Sequence, residues 1–134
     1  EFEPSEVVKL IGRIARTSIS LDKKQLLYSR SFCLLETYAS VKAGARVDIY
    51  DMAGKGHIDG ECINYNLCCC IKMLPCYDFG VKVDSAAAST RRVEDKTLID
   101  KYISKNIEGG HAALNQRIER EITEGMHCGF AQNF

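Results

Sequence analysis

A chain of 134 residues with 46% hydrophobic and 27% charged residues is one domain by length, with enough apolar side chain to bury a core without a disulfide or metal staple. Eighteen basic residues balance eighteen acidic ones, so the net charge is zero, which excludes the disordered class and counts against a strongly nucleic-acid-binding domain. No apolar run reaches the ~18–20 residues of a membrane span and no secretory leader pattern is present, while seven cysteines, three of them consecutive, make a poor disulfide framework. Together these read as a soluble, unsecreted protein of a reducing compartment, cytoplasmic or nuclear, with no membrane partner.

The first residues, Glu1-Phe2, are what an EcoRI site encodes in frame. They read as a cloning scar at 1–2 on a single globular domain, 1–134, and leave room for a longer natural chain. Pro4-Ser5-Glu6 then reads as a helix start, with Ser5 as cap and Glu6 favoured by the helix dipole. Val7, Leu10, Ile11 and Ile14 follow at helical spacing on one face, and Thr17-Ser18-Ile19-Ser20 breaks the helix. Ser20 is a second cap candidate. From Leu21 to Ala43 there is neither glycine nor proline, and Leu27, Leu34, Tyr38 and Val41 recur at helical intervals, so one long helix is expected to end at Gly44 in a left-handed cap. The competing reading is a strand over Phe32–Thr37. Cys33 reads as a small buried apolar residue.

From Ala45 the period changes to two, with Val47 and Ile49 on one side and Arg46, Asp48 and Tyr50 on the other, as a strand requires. Ala53-Gly54-Lys55-Gly56 reads as a tight turn without phosphate-loop spacing, and a second strand follows through His57 and Ile58. Cys62–Cys76 holds five cysteines in fifteen residues and reads as a β-hairpin turning at Tyr65-Asn66, with a further short strand over Asp78–Val83. Strand alternation puts Cys68 and Cys70 on one face and Cys69 on the other, so the three consecutive thiols are not one cluster.

After the small-residue connector Ser85–Ser89, a helix capped by Ser89 or Thr90 carries Val93, Leu98, Ile99, Tyr102 and Ile107 at helical spacing and stops at Gly109-Gly110. The last helix is expected from about His111 to Glu124, with Ala113, Leu114, Ile118 and Ile122 inward, and the tail Met126–Phe134 shows no periodicity. The fold class expected is α+β: a central antiparallel sheet of three to four strands, flanked by two N-terminal and two C-terminal helices. Exposed edges at Ala45–Met52 or Asp78–Val83 would suit sheet extension between subunits.

Three kinds of chemistry compete for this scaffold. A zinc site would draw on His57, Cys62 and Cys69, with His127-Cys128 as further donors, but no C-x-x-C pair is present and core packing explains the strand cysteines more simply. A thiol catalyst would use Cys76 with His111 or His127, although nothing in the sequence brings thiol and imidazole together. Nucleic acid would be met by Arg13, Arg16, Arg91 and Arg92, with the last two at a helix N-terminus where an anion would relieve them, unless Glu94 and Asp95 already do. With balanced charge and no catalytic signature, the leading expectation is a non-enzymatic domain without a cofactor. It would self-associate as a homo-oligomer or dock a protein partner, with nucleic acid and a thiol or zinc centre as alternatives.

Overall fold

The computed structural model describes residues 2–22, 24, 26–51, 54–58 and 81–131. Helix α1 (Pro4–Ile14) begins where proline is best tolerated, at the first helical position. Its cap is Glu3, whose carboxylate accepts the Ser5 N–H (3.4 Å) and the Ser5 hydroxyl (3.0 Å), rather than Ser5 itself. Ala15 ends the helix in the left-handed region at φ 59°, and strand β1 (Arg16–Ser20) starts at the next residue.

The segment expected as one helix from Leu21 is divided. Leu21 extends the path of β1, and a 3-10 turn occupies Leu26–Ser29, with the Asp22 carboxylate taking the Leu26 N–H (2.9 Å) in place of a backbone partner. Helix α2 (Ser31–Lys42) begins only after Arg30, whose backbone is extended and bridges to Ser89. The competing strand at Phe32–Thr37 is therefore helical, while Gly44 takes the positive φ (65°) expected of the helix end.

Strand β2 (Arg46–Asp51) runs parallel to β1, in register Thr17 to Val47 and Ile19 to Ile49, and antiparallel to β3 (Gly54–Ile58). The sheet order is β1-β2-β3. This corrects the expected antiparallel sheet. A strand on each side of α2 makes a crossover connection, which returns the chain in the same direction and pairs β1 with β2 in parallel. It also places α2 between strands instead of ahead of the sheet. The glycines read as a turn, Gly54 and Gly56, lie in β3 and pair with Asp51 and Ile49. Of the strand expected at Asp78–Val83, residues 81–83 are described and belong to no strand. The cysteine hairpin, Cys62–Cys76, lies outside the described residues.

Helix α3 (Val93–Asn106) has Arg92 at its cap position without a side-chain bond, in place of the expected Ser89 or Thr90. Val93, the first of the helically spaced apolar residues, is 78% exposed. Gly109 and Gly110 both take positive φ between α3 and helix α4 (Gly110–Ala131), which runs past the expected end near Glu124. α2 and α4 pack on one sheet face, where Ile19, Val47 and Ile49 meet Leu34, Leu35, Leu114, Ile118 and Ile122. The i, i+4 spacing of Leu114, Ile118 and Ile122 is the amphipathic stripe that the sequence announces.

Beside that apolar stripe α4 carries a polar one. His111, Asn115 and Glu119, also four apart, hold the segment that leads into α3. Glu119 accepts the Val83 N–H (2.7 Å), Asn115 accepts the Ser85 N–H (3.1 Å), and His111 Nδ1 meets the Ser85 hydroxyl (2.8 Å). The Val83 and Ser85 N–H groups thus find their acceptors in helix side chains.

Candidate interaction site

The sheet has two unlike faces. Thr17, Ile19, Val47 and Ile49 face the helices, and the Thr17 hydroxyl bonds that of Ser40 on α2 (2.7 Å). Arg16, Ser18 and Ser20 alternate to the other face beside Arg46, Asp48 and Tyr50. Asp48 is fully buried on that polar face, where two guanidinium groups bond its carboxylate. Arg16 donates from Nε (3.0 Å) and Nη2 (2.7 Å) to Asp48 Oδ2, and Arg46 donates from Nε to Oδ1 (3.2 Å). Asp48 raises the Arg16 pKa further, first through these hydrogen bonds and then through its charge.

The backbone of β1 is the less obvious part of the site. At its two ends Ala15 C=O accepts the Arg46 N–H (3.0 Å) and the Leu21 N–H reaches Tyr50 C=O (2.7 Å). In a parallel ladder the groups facing one neighbour belong to alternate residues. Thr17 and Ile19 therefore face β2 along with Ala15 and Leu21, and the N–H and C=O groups of Arg16, Ser18 and Ser20 face away from the sheet. These three residues are exposed, and among the described residues no strand pairs with this edge.

Immediately ahead of the edge, α1 carries Leu10 and Ile14, one turn apart and 56% and 58% exposed. The sequence spacing places both on one face of the helix with Val7 and Ile11. In the structure α1 packs on α2 with Val8 and Phe2 against the core, Phe2 stacking obliquely on Phe32 at 4.6 Å, and leaves Leu10 and Ile14 outside. An unpaired strand edge and an exposed apolar pair thus meet at one corner of the chain, with Ala15 alone between them.

The basic residues expected to meet nucleic acid lie at the end of α1, at the start of β1 and ahead of α3. Arg13 is exposed in the last turn of α1, and Arg16 is tied to Asp48. Arg91 and Arg92 are exposed ahead of α3, where Arg92 lies 4.0 Å from Glu94. Among the other candidates, His57 belongs to β3 opposite Asp48 in register and His127 to α4, while Cys62, Cys69 and Cys76 lie outside the described residues. Cys33 lies in α2, half-buried, and burial pushes its thiol upward, which disfavours the reactive thiolate.

A serine–histidine–carboxylate grouping does occur at the polar stripe of α4. His111 Nδ1 meets the Ser85 hydroxyl and His111 Nε2 lies 3.5 Å from Asp100, which also pairs with Lys96. Ser85 is 1% exposed, so its oxygen is closed to a substrate and the grouping acts as a clasp between α3, α4 and the segment before them.

Sequence reasoning missed β1 altogether. The signal was there: Arg16, Ser18 and Ser20 alternate with the β-branched Thr17 and Ile19, a period of two over five residues. No protein family, curated protein or solved structure matches the chain.

Proposed function

We propose that this chain is a non-enzymatic interaction domain that self-associates or docks a protein partner by adding a strand at the outer edge of β1. The observation that carries the reading is the outward row of N–H and C=O groups on Arg16, Ser18 and Ser20. Such an edge is a template for another strand, and proteins that must avoid pairing blunt it with lysine, proline or a bulge. Beyond Arg16 at its start, β1 has none of these. The exposed Leu10 and Ile14 give the same corner an apolar surface that association would remove from water. A reducing compartment, cytoplasmic or nuclear, fits a chain with seven cysteines and belongs to the same proposal.

Light scattering on the whole chain and on Ser18→Pro tests it. Proline at 18 deletes an outward donor and none of the β1–β2 bonds, so the fold is expected to survive and association to fail. The expected result is a mass above 15.0 kDa for the chain and the 15.0 kDa of one copy for the variant. Equal masses above 15.0 kDa for the two, with circular dichroism unchanged, contradict the edge as the site, and a chain that is itself monomeric leaves only a heterotypic partner.

A further inference from the structure

We infer that the strand added at β1 is the β1 of a second copy, running antiparallel about a two-fold axis through Ser18. This rests on the edge reading above and goes further by naming the occupant and its register. A two-fold axis makes both copies use the same patch, so two β1 strands meet antiparallel with residue numbers across the pair summing to a constant. Only Arg16, Ser18 and Ser20 offer outward backbone groups, which leaves few registers to consider.

An axis at Ser18 sets Ser18 against Ser18 and Arg16 against Ser20, and every outward N–H and C=O of the five-residue strand finds a partner. Moving the axis to Thr17 sets Ser20 against Ile14, which is already helical. At Ile19 the strand ends are again mismatched, with Arg16 opposite Asp22 beyond β1. At Arg16 two guanidinium groups stand directly opposite, a destabilising arrangement of like charges. The Ser18 register is thus the one that pairs Arg16, Ser18 and Ser20 wholly among themselves. Its polar face continues unbroken from Arg46 and Asp48 of one copy to those of the other. Each Arg16, anchored by Asp48 yet 62% exposed at its side chain, then stands beside the second copy's Ser20.

The test places charge at residue 20 of the full chain. Ser20→Glu sets a carboxylate opposite each Arg16, and Ser20→Lys sets an ammonium there. Two such pairs form per dimer, each changing the dissociation constant by roughly threefold, so the glutamate variant is expected to tighten it and the lysine variant to weaken it, each by roughly tenfold. Sedimentation equilibrium reads both, and Ser20 is exposed enough that circular dichroism should show the fold intact. Equal constants for the two variants overturn this register, and a chain that stays monomeric overturns the second copy as occupant. If Ser18→Pro abolishes association while the two residue-20 variants behave alike, the edge reading stands and the register falls; if Ser18→Pro changes nothing, both fall.

Discussion

Arg16 on β1 and Asp48 on β2 are joined by two hydrogen bonds to one carboxylate oxygen, at 3.0 and 2.7 Å, across the parallel pair that orders the sheet. The aspartate is wholly buried and the arginine largely exposed, so the desolvation cost falls on one partner only. Arg46 closes the other oxygen, and Arg16 and Arg46 face each other in register. Asp48 therefore also screens two like charges on neighbouring strands.

Replacing Asp48 tests that arrangement through stability. Asp48→Ala removes a charged acceptor and leaves the two guanidinium groups opposed, and is expected to cost about 2–3 kcal/mol, below the cost of stranding a buried charge because water can reach the arginines. Asp48→Asn keeps one acceptor oxygen and should cost about half as much. Urea denaturation reads both, and a loss of a few tenths of a kcal/mol for Asp48→Ala would show that the carboxylate does not hold β1 to β2.

Tyr28 is buried in the core, and its hydroxyl has no hydrogen-bond partner among the described residues. Burial pushes its phenol well above the ordinary range. The folded state keeps the neutral form while an unfolded tyrosine ionises near pH 10, so the stability tied to this group is full below about pH 10 and is lost as the pH rises beyond it. Tyr28→Phe deletes the unsatisfied hydroxyl and is expected to raise stability at neutral pH by about 1 kcal/mol and to flatten the alkaline loss. Thermal melts from pH 7 to 11 decide it; a destabilised variant with an unchanged alkaline limb would contradict the account.

Glu119 holds the Val83 N–H at 2.7 Å, so the segment before α3 depends on a side chain where a sheet would supply a backbone acceptor. Glu119→Gln retains an oxygen at that position and Glu119→Ala does not. The alanine variant is expected to lose about 1.5–3 kcal/mol and the glutamine variant clearly less, measured by chemical denaturation. Equal losses would mean that packing of the side chain, and not the hydrogen bond, matters.

Leu10 and Ile14 distinguish association from folding. Their side chains are more than half exposed, so Leu10→Ser with Ile14→Ser should leave the melting temperature of the isolated chain within a degree or two of its starting value. The same pair should weaken association by roughly 1 kcal/mol per residue, the share of apolar burial still available to each. Sedimentation at several concentrations, alongside thermal melts, separates the two effects. Unchanged association would remove α1 from the interface.

What the sequence made legible follows from how local each signal is. β2 could be read because Val47 and Ile49 alternate with Arg46 and Tyr50, and α4 because Leu114, Ile118 and Ile122 repeat within one helix. Asp48 falls on the polar side of that alternation, but its bonds to Arg16 form only once β1 lies beside β2. β1 itself was read as a helix break. Its period of two runs over only five residues between a helix and a loop, and its parallel pairing is set by the return of the chain through α2. The end of α4 was placed too early because Met126–Phe134 lacks an apolar stripe. The apolar spacing of α1 places Leu10 and Ile14 on one face of the helix with Val7 and Ile11, and the exposed edge beside them could not be seen without β1. The candidate site was therefore the least legible part, since it consists of backbone groups and of a helix face left uncovered.

Amide hydrogen exchange within β1, followed by NMR at low and high protein concentration, tests the central claim most directly. The Thr17 and Ile19 amides, bonded to β2, should be protected at both concentrations, while those of Arg16, Ser18 and Ser20 should exchange quickly when dilute and become protected when concentrated. Rapid exchange of the Ser18 and Ser20 amides at every concentration where the chain associates would contradict strand addition at this edge.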